Sequence, residues 1–78
     1  HPVRRQILAL LRQRPMSAGE LAGHFEISKP TLSVHFAKLR AAELVAVERH
    51  GTTLIYHLNM SILEEALSGF LAFREHDE

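Results

Sequence analysis

The stretch from residue 28 to residue 40 reads Ser-Lys-Pro-Thr-Leu-Ser-Val-His-Phe-Ala-Lys-Leu-Arg and contains no carboxylate. With Leu32, Phe36 and Leu39 facing inward at about 100° per residue, Pro30, Val34 and Ala37 point directly outward. Lys29, Thr31, Ser33, Lys38 and Arg40 flank that stripe. Short hydroxyls such as Thr31 and Ser33 can hydrogen-bond base edges or phosphates, and Val34 can meet a thymine methyl. Lys29, Lys38 and Arg40 suit phosphates, contacts that place a protein on a duplex without reading its sequence. The chemistry is that of a helix lying in a DNA groove. The plainer alternative is a solvated helix on an ordinary three-helix core.

Such a face needs elements to hold it. Ser28 can cap the helix, with Pro30 inside its first turn, over about residues 29–42. Ahead of it, Ser17-Ala18-Gly19-Glu20 has capping-box spacing and starts a short helix carrying Leu21, Ala22 and Phe25. A break near Glu26-Ile27 follows, with Ile27 packing in the turn. Residues 17–42 thus read as a helix-turn-helix, whose second helix projects into the major groove. The turn residue is often a left-handed glycine or asparagine, so Glu26 implies some strain there. Residues 1–14 form a first helix, with Pro2 in its opening turn and Val3, Ile7, Leu10 and Leu11 at helical spacing. Pro15 ends it.

Beyond residue 44 the chemistry changes. Val45, Val47, Leu54, Ile55 and Tyr56 are strand formers flanking Arg49-His50-Gly51-Thr52-Thr53. Residues 45–58 therefore form a β-hairpin with Gly51 in the turn, a wing that carries Arg49 and His50 to the DNA backbone or minor groove. Asn59 or Ser61 caps a last helix, residues 61–75, with apolar residues at 62, 63, 66, 67, 70, 71 and 73. The fold class is mainly α with a small β-hairpin: a winged helix-turn-helix of order α-α-α-β-β-α, one domain over residues 1–78.

Seventy-eight residues bury only about 60% of the unfolded chain's surface, so a domain this small is marginal without disulfides, a metal or a partner. There are no cysteines, which excludes disulfides, thiolate metal sites and cysteine nucleophiles. No apolar run nears the roughly 18 residues of a membrane span, and no signal peptide opens the chain. A cytoplasmic protein without membrane insertion is expected. Paired catalytic carboxylates, nucleophile motifs and phosphate-binding glycine loops are all missing, which argues against an enzyme. The apolar stripe of the last helix is wider than one small core requires, and points to a homodimer. Its expected interface is Leu63, Leu67, Phe70 and Leu71, joined by Val3, Ile7 and Leu11 of the first helix. A two-fold pair would set two recognition helices about 34 Å apart, on an inverted repeat.

Nine Lys+Arg balance nine Asp+Glu. The zero total argues against coating nucleic acid by bulk charge, but the distribution does not. Residues 1–60 hold eight cations and four carboxylates, and residues 61–78 one cation and five carboxylates. A basic body and an acidic last helix fit contact with DNA through one face.

At these residues the chain resembles the ArsR family of dimeric bacterial winged-helix repressors, and within it the SdpR-like autorepressor branch. The resemblance begins at Pro2-Val3-Arg4-Arg5-Gln6-Ile7-Leu8, similar to the family's Pro-x-Arg-x-x-Ile-Leu opening. It runs through Ser17-Ala18-Gly19-Glu20-Leu21-Ala22 and Ile27-Ser28-Lys29-Pro30-Thr31-Leu32-Ser33-Val34-His35-Phe36. It closes with Leu44-Val45, Gly51 and Ile55-Tyr56-His57-Leu58. His1 stands where the family usually caps its helix with Asp, and Phe36 replaces the usual Leu. The family's matching histidine puts His35 at the edge of the recognition helix, as a phosphate contact or a packing hydrogen bond.

The resemblance also raises metal sensing. One family site needs Cys-x-Cys where this chain has Ser17 and Gly19. Another needs ligands where it has Met60, Ile62, Phe73 and His76, of which three cannot bind zinc or cobalt in the usual way. No cofactor or metal is expected. His24, His35, His50, His57 and His76 show no metal-ligand spacing; a pH-dependent operator affinity through histidine is a secondary expectation. The expected function is a sequence-specific transcriptional repressor, implied by the branch to control its own operon. It would bind double-stranded operator DNA as a homodimer and answer to an unidentified inducer or anti-repressor. The alternatives are a winged-helix protein-interaction module without DNA binding, and a metal-responsive regulator with a non-standard His/carboxylate site.

Overall fold

The computed structural model describes the backbone of residues 1–76 and the side chains of residues 1–71. The expectations attached to the side chains of Phe73 and His76 lie outside the described residues. Helix α1 spans Pro2–Gln13. The His1 imidazole does the capping expected of an aspartate, its Nδ1 accepting from the Val3 N–H at 3.2 Å. At the other end Arg14 adopts extended backbone ahead of Pro15, so the helix stops one residue short of the expected boundary.

Strand β1, Met16–Ser17, was not expected from the sequence. Ser17 leads directly into α2, Ala18–Ala22. Its Oγ accepts from the Glu20 N–H at 3.0 Å while Glu20 Oε1 accepts from the Ser17 N–H at 3.2 Å, which forms the capping box. The Glu20 carboxylate also meets the Arg14 guanidinium at 2.7 Å, and this pairing holds it below the usual carboxylate range. Because α2 has only five residues, Phe25 lies beyond it, half-buried against the core. Ile27 is 36% exposed and does not pack in the turn as expected. Nor is Glu26 left-handed.

The left-handed residue sits elsewhere, after α3 (Lys29–Ala41). Glu43 has φ 60°, alone among the described non-glycine residues. The Leu44 N–H donates to Leu39 O at 3.1 Å and the Glu43 N–H to Arg40 O at 2.9 Å. These two bonds make a Schellman motif, in which the Glu43 position usually belongs to glycine.

Strands β2 (Val45–His50) and β3 (Thr53–Leu58) pair antiparallel from Val45↔Leu58 to His50↔Thr53. Gly51, at φ 65°, opens the two-residue turn between them, as hairpin geometry requires. Strand β1 pairs with β3 through Met16↔Tyr56 and Ser17↔Ile55, so the expected hairpin is a three-stranded sheet of order β1-β3-β2. The core beneath it comprises Ile7, Leu11, Met16, Leu21, Leu32, Phe36, Leu39, Val45 and Tyr56. Phe36 stacks on Tyr56 with ring centroids 4.6 Å apart. Ile7 is 0% exposed and Leu11 is buried beside it. Both are therefore removed from the expected dimer interface: no second chain can reach a side chain already enclosed by its own domain.

Helix α4, Met60–His76, begins where Asn59 Oδ1 accepts from the Ile62 N–H at 3.5 Å. On it Met60, Leu67 and Leu71 are 54%, 58% and 48% exposed. The molecule measures 49 × 26 × 21 Å.

Candidate nucleic-acid interface

Helix α3 divides cleanly into two faces. Leu32, His35, Phe36 and Leu39 are buried, while Lys29, Pro30, Thr31, Ser33, Val34, Ala37, Lys38 and Arg40 are exposed. Val34, 52% exposed, gives the outer face an apolar centre between hydroxyls and cations. Ser28 fixes the start of that face. Its Oγ accepts from the Thr31 N–H at 3.3 Å and donates to Thr31 Oγ1 at 2.8 Å, so the Thr31 hydroxyl is held in place. The C-terminal half presents Lys38 and Arg40, which the helix dipole favours at that end.

His35 differs from the other residues named for this face. It is 8% exposed, and its ring turns into the junction between α1 and α3. There the Arg4 guanidinium donates to Nδ1 at 3.1 Å, and the His1 ring lies 4.6 Å away, centroid to centroid. Burial, then the charges of Arg4 and Lys38, lower its pKa below 6.5. The packing hydrogen bond is thus the role observed. Position 35 falls three residues after Leu32 and four before Leu39, so helical spacing alone marks it as inward. Sequence reading missed Arg4, whose place in the Pro-x-Arg opening was the available signal.

Arg49 and His50 both stand exposed near the wing tip. His50 Nε2 lies 3.2 Å from Glu48 Oε2, and His57 Nε2 lies 3.8 Å from Glu48 Oε1. A carboxylate therefore offsets the histidines of the wing, whereas Arg49 has no ion-pair partner among the described residues. No group of three or more His, Asp or Glu side chains among the described residues is arranged to hold a metal ion. No described helix is long and apolar enough to cross a membrane.

Of the expected dimer residues, Val3 is half-buried and packs against the core, and Leu63 is half-buried at the start of α4. Leu67, Phe70 and Leu71 are 58%, 57% and 48% exposed.

Residues 1–47 match the family described as "Bacterial regulatory protein, arsR family". The chain is 42% identical over 72 residues to the transcriptional repressor SdpR of Bacillus subtilis (strain 168), covering 92% of this chain and 80% of that protein. It is 40% identical over 63 residues to an arsenical resistance operon repressor of Staphylococcus xylosus, covering 81% of this chain and 61% of that protein. Its fold overlays HlyU from Vibrio cholerae N16961 with a TM-score of 0.76 at 31% identity, covering 100% of this chain and 83% of that one. The family match contains all of α1, α2 and α3, the elements that build and present the cationic face. The chain belongs to the arsR family of bacterial regulatory proteins and is a DNA-binding transcriptional regulator, not an enzyme.

Proposed function

We propose that the chain is a transcriptional repressor that binds an inverted-repeat operator as a homodimer, with α3 in the major groove. The observation that carries this reading is the outer face of α3, exposed along its length and free of carboxylates. Thr31, Ser33 and Val34 contact base edges there, and Pro30 keeps the start of the helix slim enough to approach them. Lys29, Lys38 and Arg40 contact phosphates on either side, and Arg49 and His50 bring the wing to the neighbouring backbone. Leu67, Phe70 and Leu71 of α4, with Leu63, pair two chains about a two-fold axis. Similarity to a repressor of the SdpR type supports repression of the protein's own operon, in the cytoplasm, relieved by an inducer or anti-repressor. A protein-docking module would instead present an acidic or apolar recognition face.

Fragments of genomic DNA selected by the chain identify the operator. Gel shifts on such a fragment should then show log K falling linearly with log salt. An affinity that ignores salt would overturn the phosphate contacts.

A further inference from the structure

Arg4 reaches the DNA interface through a second residue. A guanidinium carries only donors, so the 3.1 Å contact between Arg4 Nη1 and His35 Nδ1 makes Nδ1 the acceptor. A neutral imidazole with an acceptor at Nδ1 carries its proton on Nε2. That Nε2–H has no partner among the described residues, yet no described side-chain nitrogen or oxygen is both sealed from solvent and unbonded. The remaining 8% exposure of His35 therefore includes a hydrogen-bond donor facing out.

The surroundings fit an anion. Arg4 comes from the start of α1, where the His1 ring also lies, and Lys38 from the next turn of α3. The first turn of α1 has no acidic residue, and its N-terminus adds a partial positive charge. These same cations oppose a proton on Nδ1, so the ring serves as a neutral donor.

We propose that Arg4 is a positioning residue of the DNA interface. It fixes His35 as the Nε2–H tautomer, and that N–H donates to a phosphate oxygen of the duplex beside Lys38. The proposal rests on the DNA-binding reading above and adds a fixed, uncharged backbone contact to it.

The test uses the wild-type chain with two 30-base-pair duplexes, one selected by the chain from random DNA and one unselected. In the ¹⁵N-labelled wild-type protein, His35 should show a protonated Nε2 and a bare Nδ1, and its Nε2 resonance should move when either duplex is added. His35→Leu should weaken binding to both duplexes about 5- to 10-fold, the scale of one hydrogen bond to a charged group. Its salt slope should stay unchanged, because a neutral donor releases no counterion. His35→Gln, with an acceptor for Arg4 and an outward N–H, should restore most of the loss. Arg4→Leu should release the tautomer, with the proton found on either ring nitrogen of His35, and should lose part of the affinity that His35→Leu loses.

An Nδ1–H tautomer in the wild type, or a His35 resonance that ignores both duplexes, overturns the proposal even if His35→Leu fails to fold. So does a folded His35→Leu that binds like wild type. If the wild-type chain binds neither duplex, the DNA-binding reading itself fails.

Discussion

Helices α3 and α4 face opposite problems. Helix α3 encloses Leu32, His35, Phe36 and Leu39 in its own domain and leaves hydroxyls and cations outside. Helix α4 leaves Met60, Leu67, Phe70 and Leu71 in the open beside Glu64 and Glu65. The contrast separates a surface that is finished from one that is not. A polar face over a filled core is stable in water and free to meet a polar ligand. An apolar face exposed to water stays costly until another apolar surface covers it. The charges follow the same division, with eight of the nine basic residues in residues 1–60 and five of the nine acidic ones in residues 61–78.

The largest effect should come from the finished side. Ile7→Ala removes a fully enclosed side chain and should cost about 2–5 kcal/mol in urea unfolding. Self-association should be unaffected in the fraction that remains folded. A variant of native stability that sediments as a monomer would return Ile7 to the interface.

The double variant Leu67→Glu/Leu71→Glu attacks the unfinished side. It should abolish the dimer in sedimentation at micromolar concentration and lower operator affinity by roughly 100-fold or more. Core stability of the monomer should change little. Retention of the dimer would show that α4 does not carry it.

Within α3 two smaller changes should differ in kind. Lys38→Ala should weaken binding to all sequences alike and reduce the salt slope by about one. Ser33→Ala should leave that slope alone and relax the preference for selected over random DNA, at most by about 1–3 kcal/mol. Identical profiles for the two would remove the division between positioning and reading.

The gentlest probe is pH. The native fold resists protonation of His35, mainly through burial and then through Arg4 and Lys38, so its pKa lies below the ordinary 6.5. The unfolded chain takes up that proton first. Stability should therefore be full above the ordinary value and decline as pH falls through it toward the native one. His35→Leu should flatten this part of the curve. A wild-type stability that rises on acidification across this range would contradict the assignment.

Much of the reading half was legible because its signals are local. Ser17 with Glu20, Ser28 with Pro30, Pro15 and Gly51 each announce a boundary within a few residues, and the structure places caps and turns at those positions. What escaped depends on distant partners or on residue types that mislead. Strand β1 is two residues long and exists only through pairing with Ile55 and Tyr56, so no periodicity could mark it. Glu43 occupies a glycine position without being glycine. His35 was set at the edge of α3 by the family resemblance, with two roles left open, although its spacing from Leu32 and Leu39 is that of a core residue. Ile7 shows the converse limit. An apolar period says that a side chain is covered, not whether its own domain or a second chain covers it.

Ser17 belongs to two elements at once, paired with Ile55 in the sheet and capping α2. Wing and helix-turn-helix are thereby joined through one residue, so a tilt of either would carry the other with it. Grafting a relative's whole hairpin would disturb the recognition helix, because β3 is also the partner of β1. Lengthening the loop at Gly51 should disturb it less, since a Cβ added there would meet nothing within 4 Å. The loop is thus the place where the length of the wing can be changed with least consequence for α3.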